Sequence, residues 1–291
     1  MKNLKRILAG LMLPAAAFAT DGAADWRPLL DMKLSQFDVY LSFPASEISN
    51  VVSNFSAPIM HKPIGLNPPG QKVFKVIDQD GKPVLHITGE IYGCVQTKQA
   101  FSNYHLRLET HWGEKKWAPR LDEPKDSGIL YHSQGPFGVD YWKSWALSHE
   151  FQVIEHGLGE YWAQANGAMD VRVAARESRN EAPRWNPDGK WTTFAALDNH
   201  VLAASDEERP EHWNVLELVC YQDDCVHIVN GRVVMALANA RYRQTLKWVP
   251  MTGGKLQIQS EAAEVFYRNI EIRPISAMPE QYRHYFEGSD D

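Results

Sequence analysis

The chain has 291 residues, 36 acidic and 30 basic side chains, and a formal charge of −6. An acidic balance with no basic cluster to break it argues against a nucleic-acid partner. No uninterrupted apolar run is long enough to span a bilayer stably.

The amino terminus has the layout of a secretory signal. Lys2, Lys5 and Arg6 form a basic start, residues 7–16 are apolar, and Ala17-Phe18-Ala19 reads as a cleavage site. Residues 1–19 are therefore expected to be removed, moving the formal charge from −6 to −9 with the loss of those three cations. Residues 20–291 are expected as one exported domain, periplasmic or secreted.

From there the chain reads as short strands separated by turn residues. Expected strands cover 73–77, 84–88, 89–97 and 104–112, then 128–132, 148–154, 215–221, 226–230, 255–259 and 265–272. Along 104–112, Tyr104, Leu106, Leu108 and Trp112 fall on one face, and His105, Arg107, Glu109 and His111 on the other. Residues 115–125 carry Pro119 and Pro124 and read as a loop. Residues 174–211, with Pro183, Pro187 and Pro210, read as a long insertion. No long amphipathic helix is evident. The pattern implies an all-β jelly-roll sandwich of two antiparallel sheets. Cys220 and Cys225 flank a hairpin tip where a local disulfide is geometrically conceivable and free thiols are the alternative. Their spacing is no zinc signature.

The densest chemistry lies in Glu150-Phe-Gln-Val-Ile-Glu155-His156. Alternation places Glu150 and Gln152 on one strand face, and a bulge at 153–154 would return Glu155 to it. Paired carboxylates on a sheet face suit sugar cleavage, although a solvated strand face gives the same pattern. Five of the eleven histidines fall between His105 and His156, and His132 and His156 flank the acidic strands. Gln257, Gln259 and Glu261 alternate onto one face as well. Glu109, Glu150, Gln152 and Gln259 are thus expected to line one pocket. Trp142 and Trp145, just before the Glu150 strand, are candidates to stack on sugar rings.

In order and spacing, several segments resemble the bacterial 3-keto-disaccharide hydrolase domain family. They are Trp26-Arg-Pro-Leu29, residues 89–97, Tyr104 to Glu109, Asp126-Ser-Gly-Ile-Leu-Tyr-His132, His149-Glu150-Phe-Gln152 and Gly167-Ala-Met-Asp170. Trp213-Asn214, residues 227–231, Gln257-Ile-Gln259 and Phe266 to Ile270 complete the set. Asp126 departs from the family's usual Asn. The resemblance implies a concanavalin A-like sandwich that cleaves 3-keto-glycosides by C2 deprotonation, elimination and hydration. On that reading Glu109, Glu150 and His132 are the catalytic candidates, and Gln152, Tyr131, Trp142, Gln259 and Glu261 contact the carbohydrate. No cofactor is fixed. A divalent cation polarising the ketone would draw on Glu150, His132 and His156.

Two other readings stay open. A laminarinase-type endo-β-glucanase would need Glu-x-Asp-x-x-Glu, and this chain has Gln152 in place of the Asp. A lectin-type module would bind sugar without turnover.

Overall fold

The computed structural model describes residues 25–48, 62–139, 142–175, 178, 180–195 and 200–287. The expected signal segment lies outside these residues. No helix among them is long and apolar enough to cross a membrane.

Among the described residues, 45–48 are helical, and the strands follow in order: β1 Arg27–Pro28, β2 Phe37–Pro44, β3 Gly65–Leu66, β4 Phe74–Gln79, β5 Lys82–Ile87, β6 Ile91–Thr97 and β7 Tyr104–Lys116. Next come β8 Asp126–Gln134, β9 Leu147–Ile154, β10 Tyr161–Gln164, β11 Gly167–Val173, β12 Lys190–Ala195 and β13 His200–Val201. The last are β14 Asn214–Tyr221, β15 Asp224–Val229, β16 Arg232–Gln244, β17 Lys247–Pro250, β18 Lys255–Ser260, β19 Ala263–Pro274 and α1 Glu280–Arg283.

The strands form two antiparallel sheets, as the alternating pattern predicts. Sheet I runs β12-β11-β16-β15-β14-β7-β19-β5-β4, with β1 beside β19 and β17 beside β16. Sheet II runs β13-β10-β9-β8-β18-β6-β2-β3. Between them, Leu106, Leu108, Leu216, Leu218, Ile270 and Ile272 of sheet I meet Ile129, Phe151, Val153, Leu256 and Ile258 of sheet II in one buried cluster. Each of these strands sends alternate residues inward, which is what a half-buried sheet requires.

The expected strands recur with small shifts at their ends. The 174–211 insertion contributes two further strands, β12 and β13, which extend the two different sheets. Polar residues also enter the core. Tyr131 Oη meets His227 Nε2 at 3.1 Å, and His227 Nδ1 donates to the Gly159 carbonyl at 2.9 Å. Burial pushes the His227 pKa down to about 3, and that of His149 well below its ordinary value, so both rings are neutral at physiological pH.

Phe151 is fully buried and packs on the His227 ring with centroids 4.4 Å apart. Phe151→Ala is expected to cost about 3–5 kcal/mol, read from urea unfolding. A loss below about 1 kcal/mol would contradict this packing.

Candidate active site

The outer face of sheet II carries the polar residues that alternation turns away from the core. Gln152 pairs with Gly128 across β9 and β8, and Trp162 pairs with Glu150 across β10 and β9. On the far side of β8, Gln257 of β18 pairs with Leu130. Asp126, at the start of β8, bridges to Glu261 just beyond β18.

Gly128 opens a hollow in this face. A Cβ there would collide with both Glu150 Oε1 and Gln259 Oε1, so the missing side chain is what lets these two groups converge over β8. The other carboxylate oxygen of Glu150 accepts from Gln164 Nε2.

The hollow continues into a cleft of about 230 Å³, lined among others by Arg120, Asp126, Trp142, Glu150, Gln152 and Trp162. Trp145 is buried at its base with its indole N–H on the Gly93 carbonyl at 3.1 Å. Trp162 lies flat on His200, with centroids 4.4 Å apart and an interplanar angle of 11°.

Arg120 comes from the loop between β7 and β8. The Trp117 indole N–H anchors that loop on the Thr88 carbonyl at 2.9 Å. The Arg120 guanidinium reaches Asp126 at 2.6 Å, Glu261 at 3.0 Å and Glu123 at 3.0 Å. Burial works against its charge, but Asp126 and Glu261 more than offset this and raise its pKa. Burial pushes the Asp126 carboxyl up to about 6 although Arg120 pulls it down.

Several polar atoms along this face are buried without a hydrogen-bond partner among the described residues: Asp126 Oδ1, Gln152 Oε1, both amide atoms of Gln259 and the Trp162 indole N–H. Groups of this kind are costly unless something polar meets them. Their concentration around one cleft marks it as a site for a polar ligand.

The structure therefore brings together Glu150, Gln152, Trp142 and Glu261, with Gln259 beside Glu150. It separates the remaining candidates. Glu109 lies on the outer face of sheet I, where Arg268 and Asn269 bind its two oxygens at 2.7 and 2.6 Å. Both sheets have a polar outer face, and Glu109 belongs to the wrong one.

Tyr131 points inward, and His132 follows it. The pairing of β8 with β9 shifts register between Tyr131 and Gln134, and His132 has a φ of 53°, so its ring is fully buried rather than in the cleft. His156 is exposed, with Nδ1 3.3 Å from Asp206 and 3.9 Å from Glu208. Glu150, His132 and His156 thus form no common ligand set. The expected bulge at 153–154 is absent, because β8 and β9 pair regularly through Ile154. Glu155 instead holds Lys125 through an ion pair of 3.2 Å and the backbone N–H at 2.8 Å.

Arg120, Asp126, Trp162 and Gln164 were not singled out from sequence. Asp126 stood in view only as a departure from the family pattern. A lone arginine among acids in a proline-bearing loop was the available signal for Arg120.

A sequence model of the 3-keto-alpha-glucoside-1,2-lyase-like domain matches residues 67–273. The chain belongs to this family. No curated protein matches it. Among solved structures, a protein assigned as a glycosyl hydrolase from Parabacteroides distasonis ATCC 8503 is 17% identical, covering 86% of this chain and all of its own, at a TM-score of 0.46. Carbohydrate-binding module CBM66 from Bacillus subtilis is 8% identical over 70% of this chain and 97% of its own, at 0.40. An alginate lyase is 10% identical over 87% and 96%, at 0.42. The 3-keto-alpha-glucoside-1,2-lyase-like region spans the cleft strands β8, β9, β10 and β18 and the Arg120 loop.

The Asp126 carboxyl has a folded pKa of about 6, above the 3.8 usual for an aspartate. Its contribution to stability is therefore complete below about pH 4 and is lost as pH rises through about 6. Asp126→Asn should flatten the unfolding free energy against pH across that window. An unchanged slope in the variant would refute the assignment.

Proposed function

We propose that this cleft cleaves the glycosidic bond of a 3-keto-glycoside by elimination across C1 and C2, followed by addition of water. The observation that carries the reading is the placement of Glu150 over Gly128 in a cleft that also contains the Arg120–Asp126 pair and the unpartnered polar atoms. Membership in the 3-keto-alpha-glucoside-1,2-lyase-like family supports the same chemistry.

A ketone at C3 acidifies the proton on C2, because the resulting carbanion is an enolate. In this proposal Glu150 takes that proton, and the C–H electrons flow toward the C3 oxygen. Arg120 is the cation nearest to hand for the enolate oxygen, and a buried guanidinium acts there in a medium that screens it little. Return of those electrons forms the C1–C2 double bond and expels the C1 oxygen, which takes a proton from Asp126. A carboxyl with a pKa of about 6 is suited to this donation near neutral pH. Water then adds at C1, giving its proton to Asp126, while the resulting enolate takes a proton at C2 from Glu150, which returns both carboxyls to their starting states. Trp142 and Trp162 offer aromatic faces to the sugar, and Gln152, Gln164, Gln259 and Glu261 offer hydrogen bonds to its hydroxyls.

Ordinary retaining hydrolysis fits less well. A laminarinase-type pair would use Glu150 and Glu155, and Glu155 is turned away onto Lys125. The expectation of an exported protein belongs with this proposal and rests on the signal-like layout of residues 1–19.

Turnover of a 3-keto-disaccharide should fall by about 10²–10⁴-fold in Glu150→Gln, the range that loss of a general base produces. Glu109→Gln should stay within about twofold of the parent. Equal losses in both variants would remove the cleft from the chemistry. Saturable sugar binding with no turnover in the parent protein would make it a lectin. Release of sugar from unoxidised laminarin, lost in Glu150→Gln, would favour the glucanase reading.

A further inference from the structure

His132 has no place in the cleft, but its surroundings are unusual. The imidazole is fully buried between the sheets, and among the described residues its ring nitrogens meet no oxygen or nitrogen partner, the Cys220 thiol being the polar group set against the ring. Burying two polar nitrogens in this way is unfavourable unless something engages them. Nothing in the strand pattern demands it, since a regular continuation of β8 would turn residue 132 outward. The register shift after Tyr131 and the left-handed backbone at His132 bring the ring inward instead.

The ring comes to lie beside two thiols. Cys220 and Cys225 face each other directly across the β14–β15 hairpin, fully buried, with sulfurs 2.9 Å apart. One nitrogen of His132 and the two sulfurs all lie within 4.8 Å of one another. Tyr104 stands edge-on to the His132 ring, with centroids 6.0 Å apart, and its buried hydroxyl is set against the same Cys220 thiol.

We propose that His132, Cys220 and Cys225 form a structural site for a single thiophilic closed-shell cation, of the Zn(II) or Cu(I) type. Two thiolates and one imidazole are a soft donor set that hard cations such as Ca(II) or Mg(II) do not use. Metal–sulfur and metal–nitrogen bonds of about 2.3 and 2.0 Å place such ligand atoms roughly 3.5–4 Å apart, so a small separation of the two sulfurs completes the geometry. The cation would join β8 of sheet II to the β14–β15 hairpin of sheet I. It would thus clamp the sandwich from inside, away from the cleft. Because the site is closed, the ion enters as the chain folds.

The test uses the full chain, reduced, unfolded in guanidinium and refolded anaerobically with Cd(II) as the soft probe. The expected result is a thiolate-to-cadmium absorption band that saturates at one equivalent, with one cadmium retained through desalting. Cys94→Ser should bind equally, because Cys94 lies elsewhere, with its thiol on Gln257. Cys220→Ala should lose the band, and His132→Gln should weaken retention by about tenfold or more. The parent stoichiometry decides the question even if a variant fails to fold. Refolded protein that retains no cadmium would overturn the proposal. Retention by His132→Gln equal to the parent would overturn the three-ligand assignment.

Discussion

One buried guanidinium holds the cleft together. Arg120 binds three carboxylates on three parts of the chain: Asp126 opening β8, Glu261 closing β18, and Glu123 in its own loop. Without it, Asp126 and Glu261 would be buried like charges side by side at the ends of two central strands of sheet II, and both could not remain ionised. With it, the loop between β7 and β8 is drawn over sheet II, and a cation lies next to a carboxyl that retains a proton to about pH 6. The pair is therefore a structural tie as well as a source of chemistry. A buried ion pair of this kind is poor evidence for added stability, but it fixes geometry.

The second constraint is the absence of a side chain at Gly128. A flat polar sheet face would leave Glu150 and Gln259 against whatever stood at that position. The hollow lets both reach over β8, and Gln164 orients the Glu150 carboxylate from the neighbouring strand. Aromatic walls follow from the same sheet. Trp162 is placed by its register opposite Glu150, and its stacking on His200 depends on β13, a strand built from the insertion. The insertion therefore supports one wall of the cleft.

Alternation made the sandwich legible, because hydrophobic period two is a local property and most strands obey it. It also showed that Glu150, Gln152, Gln259 and Glu261 leave the core. It could not show which outer face a residue joins. Glu109 alternates as cleanly as Glu150, and only the pairing of β7 with β14 and β19 places it on the opposite side of the molecule. Tyr131 obeys the period, two residues from the inward Ile129, so alternation itself sends it to the core. His132 failed for a different reason: a register shift breaks the period just after Tyr131, and a bulge has no firm sequence signature. Arg120 lay in a loop, where no periodicity exists to read. Its role depends on contacts made across more than a hundred residues of chain, to Glu261.

The proposed chemistry turns on removal of the C2 proton, and one measurement addresses this step directly. A 3-keto-glucoside carrying deuterium at C2 is compared with the unlabelled sugar in a single turnover, followed before product release. The account predicts a markedly slower first turnover for the deuterated sugar. Equal rates, with deuterium still at C2 in the product, would contradict it and point to direct displacement at C1.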